Sequence, residues 1–411
     1  MSRSLSVAVI TFLRAKRSPL DGGLKVECGG IAAVLQKLNL MIHMNAIHSA
    51  SNDRTIHLDG IRGVAALAVA LFHFSRAFDN SLISGSHPIN RTLFSTLWNG
   101  HFAVALFFVL SGYLFFNKFH SSNVMKGAEA AAKRFLRLSI PILFVCLTAY
   151  AIHKLNLFTN QQAALLSGSD WLARWYKFEP DLSLAIIESL WLDFIAFDPA
   201  RTYNSNLWTI SYELFAVIGI IALAIASKNL NNFLKIVLVT GVTAVCYGTH
   251  YFEFMLGAAL ALALKIKQPK ASCLIAISVI TISLSMSALA LPAGISEFAS
   301  DLLYPLGATL LIAAASINEK IKDAFSNSFF VKLGEFSFGL YLMHFITINS
   351  VASSVYAATE SLSLTFISYA VSTTVLSIGF TYIIDQPWTK LLNRIFRKRK
   401  PLLEQPLEIK A

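Results

Sequence analysis

The chain has 411 residues, of which 55% are hydrophobic and only 14% charged, with a formal net charge of +11. A soluble domain of this length carries about 25% charged residues, so the composition excludes an ordinary soluble enzyme and points to a polytopic membrane protein. In such a chain an excess of lysine and arginine marks cytoplasmic loops, and no nucleic-acid partner is expected.

Residues 1–55 admit two readings. The run SVAVITFL (6–13) is short for a span, and Arg14, Lys16 and Arg17 follow it, on the wrong side for a strong signal peptide. The stretch is either a poorly ordered cytoplasmic extension or includes an upstream start that is not used, since Met41 and Met44 precede the first clear helix. Ten segments then approach the roughly 20 apolar residues that a span requires: 58–78, 99–117, 136–154, 207–227, 233–249, 250–266, 272–291, 300–317, 335–356 and 362–384. The pair 233–249 and 250–266 is separated by a very short turn near Gly248–Tyr251.

With the N-terminus inside, the cytoplasmic loops hold Lys118, Lys126, Lys133, Arg134 and Arg137, then Lys228, then Lys265, Lys267 and Lys270, then Lys320, Lys322 and Lys332. The tail holds Arg394, Arg397, Lys398, Arg399 and Lys400, while the outside loops near 292–299 and 357–361 hold no lysine or arginine. This alternation follows the positive-inside rule. The expected fold is therefore all-α, with about ten transmembrane helices and both termini cytoplasmic. A membrane domain over 56–390 is followed by a basic tail, 391–411. The long segment 155–206 lies outside. Within it LSLAIIESLWLDFIAF (182–197) is apolar but carries Glu188 and Asp193, which suits an interfacial or re-entrant helix better than a span. Cys28, Cys146, Cys246 and Cys273 form no CxxC pair, and three sit in or beside apolar runs. They read as small hydrophobic residues, and no disulfide or metal site is expected.

The chemistry-bearing residues begin in the first span, LDGIRGVAALAVALFHFSRAF, where Arg62 and His73 stand eleven residues apart. At 3.6 residues per turn they fall within roughly 20° of one helix face and about 16 Å apart along the axis. An arginine in lipid costs several kcal/mol unless it faces protein or water, so one polar groove along the membrane normal accounts for both. The bland alternative has Arg62 snorkelling to the interface and His73 bonding a neighbouring helix. In the fourth span Glu213 is counted about two turns from the outer end, a depth that suits a carboxylate orienting His73 as a general base. Arg134 and Arg137 share a helix face one turn apart; with Lys133 and Arg62 they outline a cationic pocket for phosphates. His344 lies near mid-membrane, as catalytic group or as helix–helix contact. Ser111 and Tyr341 are candidate site-lining residues. The chain has no GxSxG motif to make Ser111 a nucleophile, and Asp385 and Pro387 read as an ordinary helix stop.

Taken together, LDGIRGVAALAVALFHF, GHFAVALFFVLSGYL, KRFLRLSIP, LWTISYELF, FEFMLGAALA, LGEFSFGLYLMH and the terminal IIDQPW resemble the acyltransferase-3 family of integral membrane proteins, in the family's order from about 58 to 390. The resemblance implies a membrane O-acyltransferase of the bacterial inner membrane, with ten spans. It implies acyl-CoA, usually acetyl-CoA, as cytoplasmic co-substrate, with no permanently bound cofactor. The acceptor it implies is a hydroxyl of an extracytoplasmic carbohydrate or glycolipid. The family's essential arginine and histidine fall on Arg62 and His73, its RxxR-type pair on Arg134 and Arg137, and its span-four glutamate on Glu213. The terminal motif departs mildly, with Asp385-Gln-Pro387 where Glu-x-Pro is usual. The hydrolase-like domain of some members is not expected here, so the protein completes transfer itself or hands the acyl group to a partner. His73 then acts as base on the acceptor hydroxyl or carries the acyl group. The rival reading is a transporter or flippase of a polysaccharide or lipid-linked sugar, which also lines a central path with charges. The two related halves with broken helices that many transporters show are not visible in the sequence.

Overall fold

The computed structural model describes residues 56–84, 87–288 and 299–396. The extension 1–55, Cys28, and the tail residues beyond 396 lie outside the described residues, as does most of the loop near 292–299. The described residues are helical throughout, with no β-strand among them. The principal helices are α1 (Ile56–Phe78), α2 (Gly100–Phe119), α3 (Val124–Lys154), α4 (Asn160–Ser167), α5 (Leu182–Ile187), α6 (Trp208–Ser227), α7 (Asn232–Val245), α8 (Tyr251–Ile266), α9 (Cys273–Ala288), α10 (Tyr304–Ile317), α11 (Glu319–Phe325), α12 (Ser328–Thr347), α13 (Leu362–Phe380) and α14 (Gln386–Ile395).

Each of the ten predicted spans falls on one of these helices. Six helices are long and apolar enough to cross a membrane alone: 56–78, 100–119, 124–154, 205–227, 328–359 and 362–395. A seventh arises if α10 and α11, bent by 106°, count as one broken span. Helices α7 and α9 are apolar but shorter, at 14 and 16 residues. Their outer surfaces carry exposed Ile236, Val237, Leu274 and Ile275, and α13 adds Phe366, Ile367 and Val371. Contiguous exposed apolar surface of this kind is what lipid covers, and the protein is a multi-pass membrane protein.

The basic ends of the helices gather at one face. Lys133 Nζ donates to Asn393 at 2.6 Å, Lys228 Nζ to the Ser122 carbonyl at 3.4 Å, and Asn318 Nδ2 to the Ala271 carbonyl at 3.0 Å. Helix termini on this face are closed by local side chains: Asn123 accepts from Lys126 N–H at 3.0 Å, and Asn318 from Ile321 N–H at 3.1 Å. Such caps satisfy backbone donors that a helix start leaves open.

Two glycine-mediated contacts organise the bundle. On α1, a Cβ at Gly63 would overlap the backbone of Leu333 and Gly334; on α12, one at Gly334 would overlap the Asp59 carbonyl. On α2 and α8, Gly112 abuts the Phe254 carbonyl and Gly257 abuts the Val109 carbonyl. Helices in lipid gain little from apolar burial against one another, so close backbone approach through small residues carries much of their association. Around these contacts, Phe102, Leu106 and Val109 of α2 pack with Ile61 and Val69 of α1 and Ile312 of α10, while Phe108 and Phe116 pack with Val217 of α6 and Phe254 of α8.

The stretch predicted as interfacial or re-entrant descends beside α3. Asp181 caps α5 through Ser183 N–H at 2.8 Å, the helix widens to a π-turn over Glu188–Leu192, and Phe194 reaches the Phe135 ring at 4.7 Å. The chain then returns to Tyr203, whose hydroxyl donates to the Asp181 carbonyl at 3.0 Å, before α6 begins. The segment therefore enters and leaves at the face opposite the basic one.

Replacing Gly112 or Gly257 by valine should destabilise the bundle by about 1–3 kcal/mol or more, the usual cost of overpacking. Gly241→Ala meets open space and serves as control. Thermal midpoints in detergent check this: both valine variants fall below wild type, and Gly241→Ala does not.

Candidate active site

A cavity of about 410 Å³ opens among α1, α2, α3, α6 and α12. Its mouth, at the basic face, holds Arg62, Lys118, Arg134, Arg137, Glu335 and Asp385. Its throat is mostly apolar, with Val104, Phe107, Phe108, Leu138, Ile210 and Phe338, and Ser111, Thr209 and Tyr341 supply its hydroxyls. Three of the four arginines and lysines at the mouth are ion-paired. Arg62 Nη1 lies 2.6 Å from Asp59. Arg134 pairs with Glu213, which also accepts from Ser111 Oγ at 3.2 Å. Arg137 makes a two-pronged contact with Asp385, its second bond at 2.9 Å. Lys118 has no carboxylate partner among the described residues and lies 5.4 Å from the Phe119 ring centroid.

The local sequence explains this placement. Arg134 and Arg137 sit one turn apart on α3, so both aim into the cavity, and their guanidinium groups rest on Phe115 and Phe338, each 5.4 Å from the ring centroid. Asp385 is delivered by the π-turn Thr381–Asp385 that widens the end of α13. Turns of this kind re-aim a side chain and recur at functional sites. Arg134 Nε is shut off from solvent with no acceptor, a deficit worth about 1–3 kcal/mol.

Beyond the throat lies a histidine pair. His344 Nδ1 is 2.8 Å from the Leu340 carbonyl, which can only accept, so that nitrogen carries the proton. His344 Nε2 is then an acceptor, 3.0 Å from His73 Nδ1 and 3.3 Å from Asn206 Nδ2. His73 Nδ1 must donate, which leaves a lone pair on His73 Nε2. That atom has no hydrogen-bond partner among the described residues, and the ring is partly exposed. Trp171 stacks on His73 at 5.1 Å between centroids, and the Arg76 guanidinium covers the same indole at 5.6 Å. Cavity and histidines meet through Asn206: its carbonyl accepts from Tyr341 Oη at 2.5 Å and its amide reaches His344.

The structure brings Arg62, Arg134, Arg137, Ser111, Glu213 and Tyr341 together around one cavity, and His73 with His344 above it. Two expectations are corrected. Glu213 does not orient His73; it holds Arg134, because Asn206, seven residues earlier, already occupies the histidine level, which leaves Glu213 about 10 Å deeper. Lys133 does not line the cavity; it turns to Asn393 at the surface, and Lys118 stands in its place. Asp385, read from sequence as a helix stop, is the partner of Arg137. The sequence does not distinguish Asn206 and Trp171, since a polar residue just before a span reads as a cap and a loop tryptophan as an interface anchor.

A multi-pass helical protein with a charged cavity at its basic face and a paired imidazole beyond the cavity's inner end is the class that fold and site define. The family model described as an acyltransferase domain matches residues 56–385, and the chain belongs to this acyltransferase-3 family of membrane acyltransferases. No curated protein and no solved structure matches the chain.

The hydrogen-bond network predicts one tautomer at each histidine. In protein labelled with ¹⁵N-histidine, His73 and His344, assigned by single substitution, should both show a protonated Nδ1 and an unprotonated Nε2 near neutral pH. Loss of this preference at His73 in His344→Ala confirms the dependence; an Nε2-protonated His73 in wild type rules it out.

Proposed function

We propose that the protein is an O-acyltransferase that carries a short acyl group, acetyl in the first instance, from cytoplasmic acyl-CoA to a hydroxyl of a carbohydrate or glycolipid on the far side of the bacterial inner membrane. The carrying observation is a basic-mouthed, apolar-throated cavity joined through Tyr341 and Asn206 to the His73–His344 pair. The positive-inside rule puts the basic face in the cytoplasm, and on this reading the helices cross ten times with both termini inside.

Arg62, Arg134, Arg137 and Lys118 bind the donor's phosphates. Phosphate accepts the same charge-assisted bonds as a carboxylate, so it exchanges with Asp59, Glu213 and Asp385 and supplies an acceptor for Arg134 Nε. The pantetheine arm lies against Phe107, Leu138, Ile210 and Phe338 and brings the thioester towards the histidines. His73 Nε2 takes the acceptor's proton as its oxygen attacks the thioester carbonyl carbon; the carbon–sulfur bond breaks, and the thiolate receives that proton. His344 holds His73 in the competent tautomer and is a positioning residue. The partly exposed Phe72 ring, which flanks His73, suits the apolar face of a sugar.

His73→Ala should lower kcat by about 10²–10⁴-fold with CoA binding retained, the usual contribution of a general base. Arg62→Ala and Arg137→Gln each remove charge-assisted bonds worth about 1.5–3 kcal/mol, so they should instead raise KM for acyl-CoA by roughly 10–100-fold. Acyl transfer by purified protein in nanodiscs, with CoA release and acceptor mass as readouts, checks both. Wild-type turnover by His73→Ala overturns the mechanism, and sugar translocation without any acylation supports a transporter.

A further inference from the structure

Away from the cavity, two carboxylates and a thiol meet in the protein interior. Cys146 lies in the half of α3 remote from Arg134, Glu188 on the π-turn of the re-entrant segment, and Asp193 one turn further on. They are 0%, 2% and 0% exposed. Cys146 Sγ and one oxygen from each carboxylate lie within 4.8 Å of one another. Glu188 is anchored, accepting from the Thr202 hydroxyl and from Tyr203 N–H at 2.9 and 3.0 Å. Asp193 is not: both its oxygens are shut off from solvent and neither has a hydrogen-bond partner. Among the described residues, no lysine or arginine pairs with either acid.

Ionised carboxylates in a dry interior cost several kcal/mol each unless a cation or a full set of donors compensates. Here Glu188 has donors and Asp193 has none, so the cluster requires either a proton or a metal ion. The donor set decides between them. A thiol beside two carboxylates adds nothing to a shared proton, whereas thiolate, imidazole and carboxylate are the ligands that zinc takes. Calcium and magnesium favour six or more oxygens. Donors around a tetrahedral zinc stand about 3.3–3.7 Å apart, given metal–ligand distances near 2.0–2.3 Å, so the three groups need approach by only about 1 Å.

We propose that Cys146, Glu188 and Asp193 form a buried three-residue binding site for a zinc-class divalent ion. The site clips the re-entrant segment to α3. Its role is structural, because the same segment leads into Asn204, whose amide donates to the Leu342 carbonyl at 2.8 Å, and into Asn206, which contacts His344. On this proposal Cys146 is a thiolate ligand, where the sequence alone reads it as a small hydrophobic residue. This inference does not depend on the acyl-transfer reading.

The test is metal analysis of the full chain, purified in detergent without chelator and with zinc in the growth medium. Wild type should hold about one zinc per chain, because a preformed buried site retains its ion. Asp193→Asn and Cys146→Ala should each lose at least roughly tenfold of it, as altered coordination does elsewhere. Cobalt added to chelator-treated wild type should give a thiolate-to-metal charge-transfer band that Cys146→Ala abolishes. Where a variant does not fold, the same cobalt band decides in a chain with Cys28, Cys246 and Cys273 each changed to alanine, in which Cys146 is the remaining thiol. A wild-type protein with no zinc above trace and no cobalt band overturns the proposal and assigns the cluster a shared proton.

Discussion

The arrangement depends on the contact between α1 and α12. Gly63 and Gly334 bring the two backbones together with no side chain between them, and both helices run in the same direction from that point. His73 and His344 each lie ten residues beyond the contact glycine on their own helix, so they arrive at the same height, about 15 Å along. A slip of one residue moves His344 by about 1.5 Å and turns it by about 100°, which breaks the bond to His73 Nδ1. The tautomer on which a catalytic role for His73 rests is thus set about 15 Å away, by residues with no side chain.

The cavity follows a second constraint, the cost of charge in a low-dielectric interior. Four cations line it against three carboxylates, Glu213, Glu335 and Asp385, and the ion pairs leave the wall nearly neutral. A ligand with one negative charge gains little by displacing a carboxylate that is already in place, since the exchange is close to even. A polyanion that engages several guanidinium groups at once gains cumulatively, because its charges are held together before it binds. Paired arginines are therefore compatible with selective binding of a multiply phosphorylated donor, and they keep the empty site from carrying unpaired buried charge.

Much of this was legible in the sequence, and for a physical reason. An arginine, a histidine and a glutamate inside apolar helices are expensive enough to be conspicuous, and helical phase shows which share a face. The helices themselves follow from apolar runs, and the descent of 182–197 from its two acids and short length. The pairings were not legible. Whether Glu213 meets His73 or Arg134 depends on where α6 sits along the membrane normal, and a two-turn error in depth changes the partner. His73 and His344 are 271 residues apart, and nothing local to either encodes the other. Asp385 hid in a motif that has an ordinary explanation as a helix stop. The approach of Glu188 and Asp193 to Cys146 is likewise hidden, since the acids lie on a distant segment.

Tyr341 occupies the point where the two parts of the site join. It sits one turn before His344 on α12, and its hydroxyl is engaged by Thr209 at 2.8 Å and by the Asn206 carbonyl. With Phe107, whose ring centroid is 6.0 Å away, it forms a belt in the cavity wall on the histidine side. On the proposed reaction path an acyl group carried up the cavity must pass this belt to reach His73 Nε2. The groups that hold Tyr341 lie in the first turn of α6 and in the turn just before it, and Asn206 also holds His344. Opening the belt by displacing Asn206 would loosen His344 and with it the tautomer of His73. Opening it by swinging Tyr341 alone, with Thr209 and Asn206 left in place, keeps the base intact. The second route costs the two hydrogen bonds to Thr209 and the Asn206 carbonyl and leaves the bond between Asn206 and His344 in place.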